Sequence, residues 1–365
     1  MTTLSRRERR RLALVTFELR DPTPEVLVVT NAWPRDDDPG YGIFIKRQVD
    51  SLRQRGVRFD VMFVRGYLSK RAYAAAAASL ARMNFAKEAP YRLVHAHGGE
   101  TAFTAAAYRR VPVLVSYLGL DILGAPQEDG STRFTSRARA KVLRESARFV
   151  SRTITKSQEM HDALPSSCRR RNDVVPSGVD GSTFTVMPRS EARRLLGWEP
   201  ESAIALFGGN PEVPAKGYRL AAAACELAAE QVKNLELKTL GGIEPSQVPL
   251  MMNSADCLLF TSRAEGSPNV VKEALMCNLP VVATPVGDVK DLLEGVSPSW
   301  VCKPSAHVLA GAVAAALSEP ARSDGRAKSV HLTTEAIAIR MLSIYERMIS
   351  KKADVAELPA KRALP

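Results

Sequence analysis

Cysteine is scarce in this chain and never paired in sequence. Cys168, Cys225, Cys257, Cys277 and Cys302 are odd in number, widely spaced and without a CxxC, which argues against a disulfide framework and a cysteine zinc site. No run approaches the ~18 to 20 apolar residues of a membrane span, and residues 1–20 are basic without the apolar core of a signal peptide. A cytoplasmic protein is expected. Aromatic residues make up only 6%, and no recognition motif accompanies the basic pI of 9.6, so no nucleic-acid partner is expected. No GxGxxG follows the first apolar run, where Asn31-Ala32-Trp33-Pro34 stands instead, which argues against a dehydrogenase. An Asp-x-Asp at a strand end is missing too. Asp36-Asp37-Asp38 lies in a Pro-bounded loop and reads as solvated, so neither a metal nor a cofactor is expected.

What is present is a chain of 365 residues, more than one core usually spans, with 45% hydrophobic and 25% charged residues. Two soluble domains are expected. The net charge of +12 is carried entirely by residues 1–180, which hold 31 Lys plus Arg against 19 Asp plus Glu. Arg6, Arg7, Arg9, Arg10 and Arg11 form one basic cluster and Arg169-Arg170-Arg171 another. Such asymmetry suggests an anionic partner for the first half, an acidic lipid surface or a phosphate-bearing acceptor, against the plainer reading of a solvated basic face.

Short apolar runs alternate with helix-period segments. Val26–Val29, Phe59–Val64, Leu93–His95, Val113–Ser116 and Phe149–Ile154 read as buried strands, separated by helices near Tyr41–Arg55, Thr101–Tyr108 and Arg137–Ala147. A second series follows in Ala203–Phe207, Leu235–Leu237, Cys257–Phe260 and Val281–Ala283, with a helix over Tyr218–Glu230. The alternation predicts α/β architecture with two doubly wound parallel sheets. Turn formers in Val175–Ser182 mark a hinge between them. The expected organisation is a basic tail (1–20), a first Rossmann-like domain (21–182), a second (183–335), and a C-terminal helix returning toward the first, with a frayed end (336–365).

The chemistry concentrates after the strand ending at Phe260, in Thr261 to Leu275, where a strand passes through a Gly-containing loop into a helix. Ser267 suits an N-cap and Pro268 the first helical position, which would leave free amides and the positive dipole end facing an anion such as a diphosphate. On a helical wheel Glu273 falls between Met276 and Cys277, and Lys272 is the only other polar residue. A carboxylate on so apolar a helix needs strong hydrogen-bond donors, which sugar hydroxyls or a local Arg or amide would equally supply.

Glu265 and Glu273, with seven residues between them, followed by Asn278 to Asp288, resemble the signature of glycosyltransferase family 4. Pro39-Gly40-Tyr41-Gly42 resembles that family's first glycine loop, with Gly42 near the donor, and Val174 to Phe184 resembles its linker. The resemblance runs from about Val26 to Ile349. Asn31 to Pro34 and Phe207 to Pro211 look most like the bacterial cell-surface polysaccharide branch that includes teichuronic acid enzymes. It implies the GT-B fold and a retaining sugar transfer from a nucleoside diphosphate sugar to a sugar or lipid-linked acceptor. It also implies roles. Glu273 would hold the donor ribose, and Glu265 would meet hydroxyls of the transferred sugar. Backbone around Gly266, Ser267, Pro268, Asn269 and Val270 would meet the diphosphate, and Lys216 would neutralise it. The acceptor would bind the basic first domain, at the inner face of an anionic membrane.

Two departures from the family pattern stand out. Gly209 and Asn210 occupy the place of a frequent Gly-Arg, so one phosphate-binding cation is missing or comes from elsewhere. Leu118 stands where many members carry a histidine near the transferred sugar. Either that role passes to His97, at the carboxyl end of a strand where parallel sheets bind ligands, or to Asp121, or the catalytic pocket differs from the common one. The same departures leave open a non-catalytic sugar-nucleotide-binding or scaffold subunit.

Overall fold

The computed structural model describes residues 13–127, 131–318 and 321–356. The arginines at positions 6–11 and the terminal stretch 360–365 lie outside them. The expected basic tail ends earlier than residue 20, because Val15–Arg20 forms strand β1, antiparallel along the edge of the first sheet. Its half-exposed residues hide a strand from a search for buried runs.

The remaining strands of that sheet are β2 (Val26–Thr30), β3 (Phe59–Val64), β4 (Leu93–His97), β5 (Val113–Ser116), β6 (Arg152–Thr155) and β7 (Asn172–Val174). They run parallel in the order β3-β2-β4-β5-β6-β7. Every residue of β2 to β5 is buried, as expected of strands covered on both faces. The predicted strand over 149–154 begins only at Arg152, because Phe149 closes a 3-10 turn and stays exposed. Helices α1 (Ile43–Arg53), α2 (Gly99–Ala105), α3 (Leu120–Leu123) and α4 (Phe134–Glu145) belong to this half.

The second sheet is wholly parallel, in the order β12-β11-β10-β8-β9, from β8 (Ala203–Phe207), β9 (Leu235–Thr239), β10 (Cys257–Phe260), β11 (Val281–Ala283) and β12 (Trp300–Val301). Helices α5 (Tyr218–Ala228) and α7 (Ala306–Ser318) pack on one face, and α6 (Asn269–Met276) on the other. Helix α8 (Thr334–Ala356) crosses back to the first domain. Its Ile337, Met341, Ile344, Tyr345 and Met348 are buried with Val28, Val61 and Leu93. Each such side chain contributes about 1.5–3 kcal/mol on burial, so this helix ties the two ends of the chain into one core. The linker runs beside the approach to α8, where the Val179 amide donates to Leu332 O at 2.9 Å and the Thr334 amide to Val179 O at 2.8 Å. Two chain segments therefore cross between the domains at one place.

Candidate active site

Strands β8 and β10 are neighbours, so the loops after their carboxyl ends meet. The first carries Lys216 in a 3-10 turn and the second carries Glu265, and Lys216 Nζ lies 2.5 Å from Glu265 Oε1. Ser262 Oγ donates to the same oxygen at 3.2 Å. Forty-nine residues separate the pair in sequence, and the parallel sheet closes that gap.

These groups open on a cavity of about 370 Å³ between the domains. Gly208, Ser267, Pro268, Asn269, Val270 and Glu273 line it from the second domain, with Phe44, Leu118 and Lys156 from the first and Ser177 from the linker. Glu273 is half-buried and its carboxylate accepts no hydrogen bond among the described residues. Burial pushes its carboxyl up, against the pull of Arg47 on α1 and Lys272. Asn269 Oδ1 is likewise buried without a partner. The wall thus presents acceptors waiting for donors, beside the N-terminal amides of α6.

Several expectations need correction. Pro268, not Ser267, is the N-cap of α6, and no side chain caps that helix. Ser267 Oγ instead accepts from Lys272 Nζ at 3.1 Å, because that lysine is fully buried and needs partners; it also donates to Ser177 O at 2.7 Å. Gly266 does not line the cavity. It is pressed against Gly119 of the first domain, where a methyl group on either would come within 3.1 Å of the other's backbone. Gly209 lies under the stem of Lys216, and Asn210 is exposed with its Oδ1 accepting from the Glu212 amide at 2.9 Å. Gly42 caps α1 at φ 69°, where a side chain would strike the Ala32 carbonyl carbon, so its role here is to close the first loop on itself.

Asp121 is not a free acid facing the cleft. Its carboxylate accepts from the amides of Gly99 (3.0 Å), Gly119 (2.9 Å), Leu118 (3.2 Å) and Ile122 (3.0 Å). It therefore ties the loops after β4 and β5 together; burial raises its pKa against the lowering pull of the Leu118, Gly119 and Gly99 amides. His97 is 2% exposed, its ring centre 4.1 Å from that of His95 with the two planes tilted by 37°, and without a ring hydrogen bond among the described residues. Burial beside Lys156 pushes it down to about 3, so it is neutral at physiological pH. His95 is an anchor, with Nδ1 2.7 Å from Tyr345 Oη and Nε2 2.8 Å from Ser116 Oγ.

No motif marks Lys156 or Arg47 in the sequence, and Lys272 shows there only as the second polar residue on the helix of Glu273. Lys156 follows β6 directly, at a strand end of the kind used to nominate His97, and that position was the available signal. Burial and the nearby Lys272 push Lys156 down to about 7, and burial brings Lys272 down to about 8.

Two Rossmann-like domains facing a cleft, closed by a C-terminal helix that returns to the first, define the GT-B class of glycosyltransferase fold. Residues 9–178 match the family model of the glycosyl transferase 4-like domain, and residues 202–319 that of glycosyl transferases group 1. The chain is 24% identical over 352 residues to the putative teichuronic acid biosynthesis glycosyltransferase TuaC of Bacillus subtilis, covering 79% of this chain and 88% of that one. Among solved structures, sucrose-phosphate synthase from Thermosynechococcus elongatus superposes with TM-score 0.70 at 15% identity, over 90% of this chain and all of that one. Anabaena HepE, solved with UDP and glucose, gives 0.64 at 17% identity over 88% of this chain and 99% of that one. The chain belongs to the family 4 type of glycosyltransferases, and is an enzyme of glycosyl transfer.

Proposed function

We propose that this glycosyltransferase moves a sugar from a nucleoside diphosphate sugar to an acceptor hydroxyl with retention at the anomeric carbon. The observation that carries this is the convergence of the Lys216–Glu265 pair, the unpartnered Glu273 and the start of α6 on one interdomain cavity. Glu273 takes the ribose hydroxyls and Asn269 Oδ1 accepts from a further donor hydroxyl. Glu265 meets the transferred sugar, and Lys216 with the α6 amides meets the diphosphate. As the bond from the anomeric carbon to the phosphate oxygen breaks, its electron pair stays on the diphosphate. The acceptor oxygen bonds to that carbon on the same face and its proton passes to the leaving phosphate. Fixed positive groups that meet this charge supply the electrostatic part of the acceleration. This reading needs no metal, so turnover is expected to be the same with and without EDTA.

The name of the Bacillus relative supports a role in cell-surface polysaccharide or glycolipid synthesis, with a sugar or lipid-linked acceptor. An exposed surface of mixed basic and apolar side chains supports it as well. Helix α4 exposes Phe134 and Val142 among Arg133, Arg137 and Lys141, with Phe149 exposed just beyond, and Arg144 Nε holds Ile122 O at the cleft-side loop. Basic residues interleaved with apolar ones suit an anionic bilayer, at about 1 kcal/mol per Lys or Arg near the surface. The enzyme would then work as a peripheral protein on the inner face of the membrane.

The test is a panel of nucleoside diphosphate sugars in thermal shift and isotope-labelled turnover, with the product anomer read by NMR. One stabilising donor and a product of unchanged anomeric configuration are expected. Inversion would overturn the retaining reading. Stabilisation without transfer or hydrolysis would favour a scaffold subunit, for which Leu118 on the cavity wall is the motive.

A further inference from the structure

Among the charged side chains on the cavity wall, Lys216 is committed to Glu265, and behind the wall Lys272 is committed to Ser177 O and Ser267 Oγ. Lys156 is different. It is 5% exposed, lines the cavity, and makes no hydrogen bond or ion pair among the described residues. Burying an ammonium without a counter-ion disfavours folding. The charged groups that act on it do little to help. Lys272 on α6 repels it, and Asp121 attracts it with a carboxylate already filled by four backbone amides. His97 on β4, itself kept neutral by burial, offers no countercharge.

Such a lysine is a cation held ready for an anion from outside the chain. Across the same cavity stand Lys216, Ser267 and the N-terminal turn of α6. At the place of the family's frequent Gly-Arg, the loop after β8 meanwhile has Gly209 and exposed Asn210, neither of them charged. We propose that Lys156 is a phosphate-binding residue that meets the donor diphosphate from the first-domain side, opposite Lys216, and so supplies the cation that the Gly209-Asn210 loop lacks. The inference rests on the reading of the cavity as the donor site. It adds that the diphosphate is held from both domains at once. Neutralisation of the leaving group then depends on the cleft being closed, since Lys156 and Lys216 belong to different bodies.

The test is calorimetry on the full chain with UDP, GDP and ADP, and with UMP, GMP and AMP as counterparts lacking the second phosphate. For whichever diphosphate the wild type binds, Lys156→Met is expected to weaken binding about ten- to hundredfold, the range of a charge-assisted hydrogen bond. The matching monophosphate should lose less, and Lys156→Arg should recover most of the affinity. Lys156→Gln serves the same comparison if the Met variant is insoluble. Unchanged diphosphate affinity in a folded Met or Gln variant overturns the proposal. It does so even if acceptor KM rises, because the anion would then come from the acceptor. A wild type that binds none of the diphosphates removes the donor-site reading itself, an outcome visible before any variant is made.

Discussion

Three carboxylates near the cleft are held in three ways, and the difference assigns their work. Glu265 has a lysine and a hydroxyl, Glu273 has no internal donor among the described residues, and Asp121 has four amides. An amide side chain cannot accept what Asp121 accepts, so Asp121→Asn is expected to lose about 2–3 kcal/mol of stability in urea unfolding. Unchanged stability with lost turnover would instead put Asp121 in contact with substrate. A second expectation concerns charge. The folded pKa of Lys156, about 7, lies below its unfolded value near 10.5, so its buried ammonium costs stability in full below pH 7. That cost fades as pH rises from about 7 toward 10.5. In the ligand-free protein Lys156→Met should therefore raise Tm most at pH 6 and least at pH 10, and a gain independent of pH would contradict this. Glu265, Glu273 and Lys216 were legible because motif spacing and strand-end position name them. The task of Asp121 was hidden, because Gly99 and Gly119 reach it from separate loops. Lys272 showed on the wheel as polar, but nothing in its own segment tells that Ser177 would sheathe it.

At the scale of elements, the interior strands and the helices predicted near Tyr41–Arg55, Thr101–Tyr108, Arg137–Ala147 and Tyr218–Glu230 lie within a few residues of those observed, since buried runs and helical periods are properties of the segment itself. The edge strands β1 and β12 and the short β7 were not, because half-exposed residues carry no such run. The start of α6 was misread by one residue for a related reason, Ser267 being claimed by a buried lysine. The contact of Gly119 with Gly266 lies beyond any local pattern, and it sets how closely the domains approach. In Gly266→Ala the new methyl would stand 2.8 Å from Met160 Sδ and 3.1 Å from Gly119 Cα. The sulfur can move, while the backbone cannot. Turnover is expected to fall about tenfold or more with little change in Tm, because small displacements at a reacting site are costly. Full activity in that variant would mean that this contact does not limit closure. On α8, Met341→Ala should cost about 2–5 kcal/mol in chemical denaturation, the range for buried Met-to-Ala changes. A smaller loss would mean that α8 is not part of the first domain's core.

Over the whole molecule, the sequence pointed to two doubly wound halves and a returning helix, and the paired sheets and α8 have that arrangement. Exposed basic and apolar side chains meet on α4, the surface proposed above to contact an anionic membrane. Phe134→Ser with Val142→Ser should reduce flotation with anionic vesicles while leaving turnover of a water-soluble acceptor intact. Equal flotation of wild type and variant would overturn the proposed membrane contact of α4. The central claim is that the interdomain cavity holds the donor, with Glu273 on the nucleotide and Glu265 on the sugar. Its most direct test is the affinity and turnover of the stabilising donor in Glu273→Ala and Glu265→Ala. The expected result is a split, with Glu273→Ala binding both the donor and its free nucleoside diphosphate about tenfold or more weakly. Glu265→Ala should keep nucleoside diphosphate affinity and lose turnover. Wild-type affinity for the nucleotide in Glu273→Ala, or undiminished turnover in Glu265→Ala, would contradict the account.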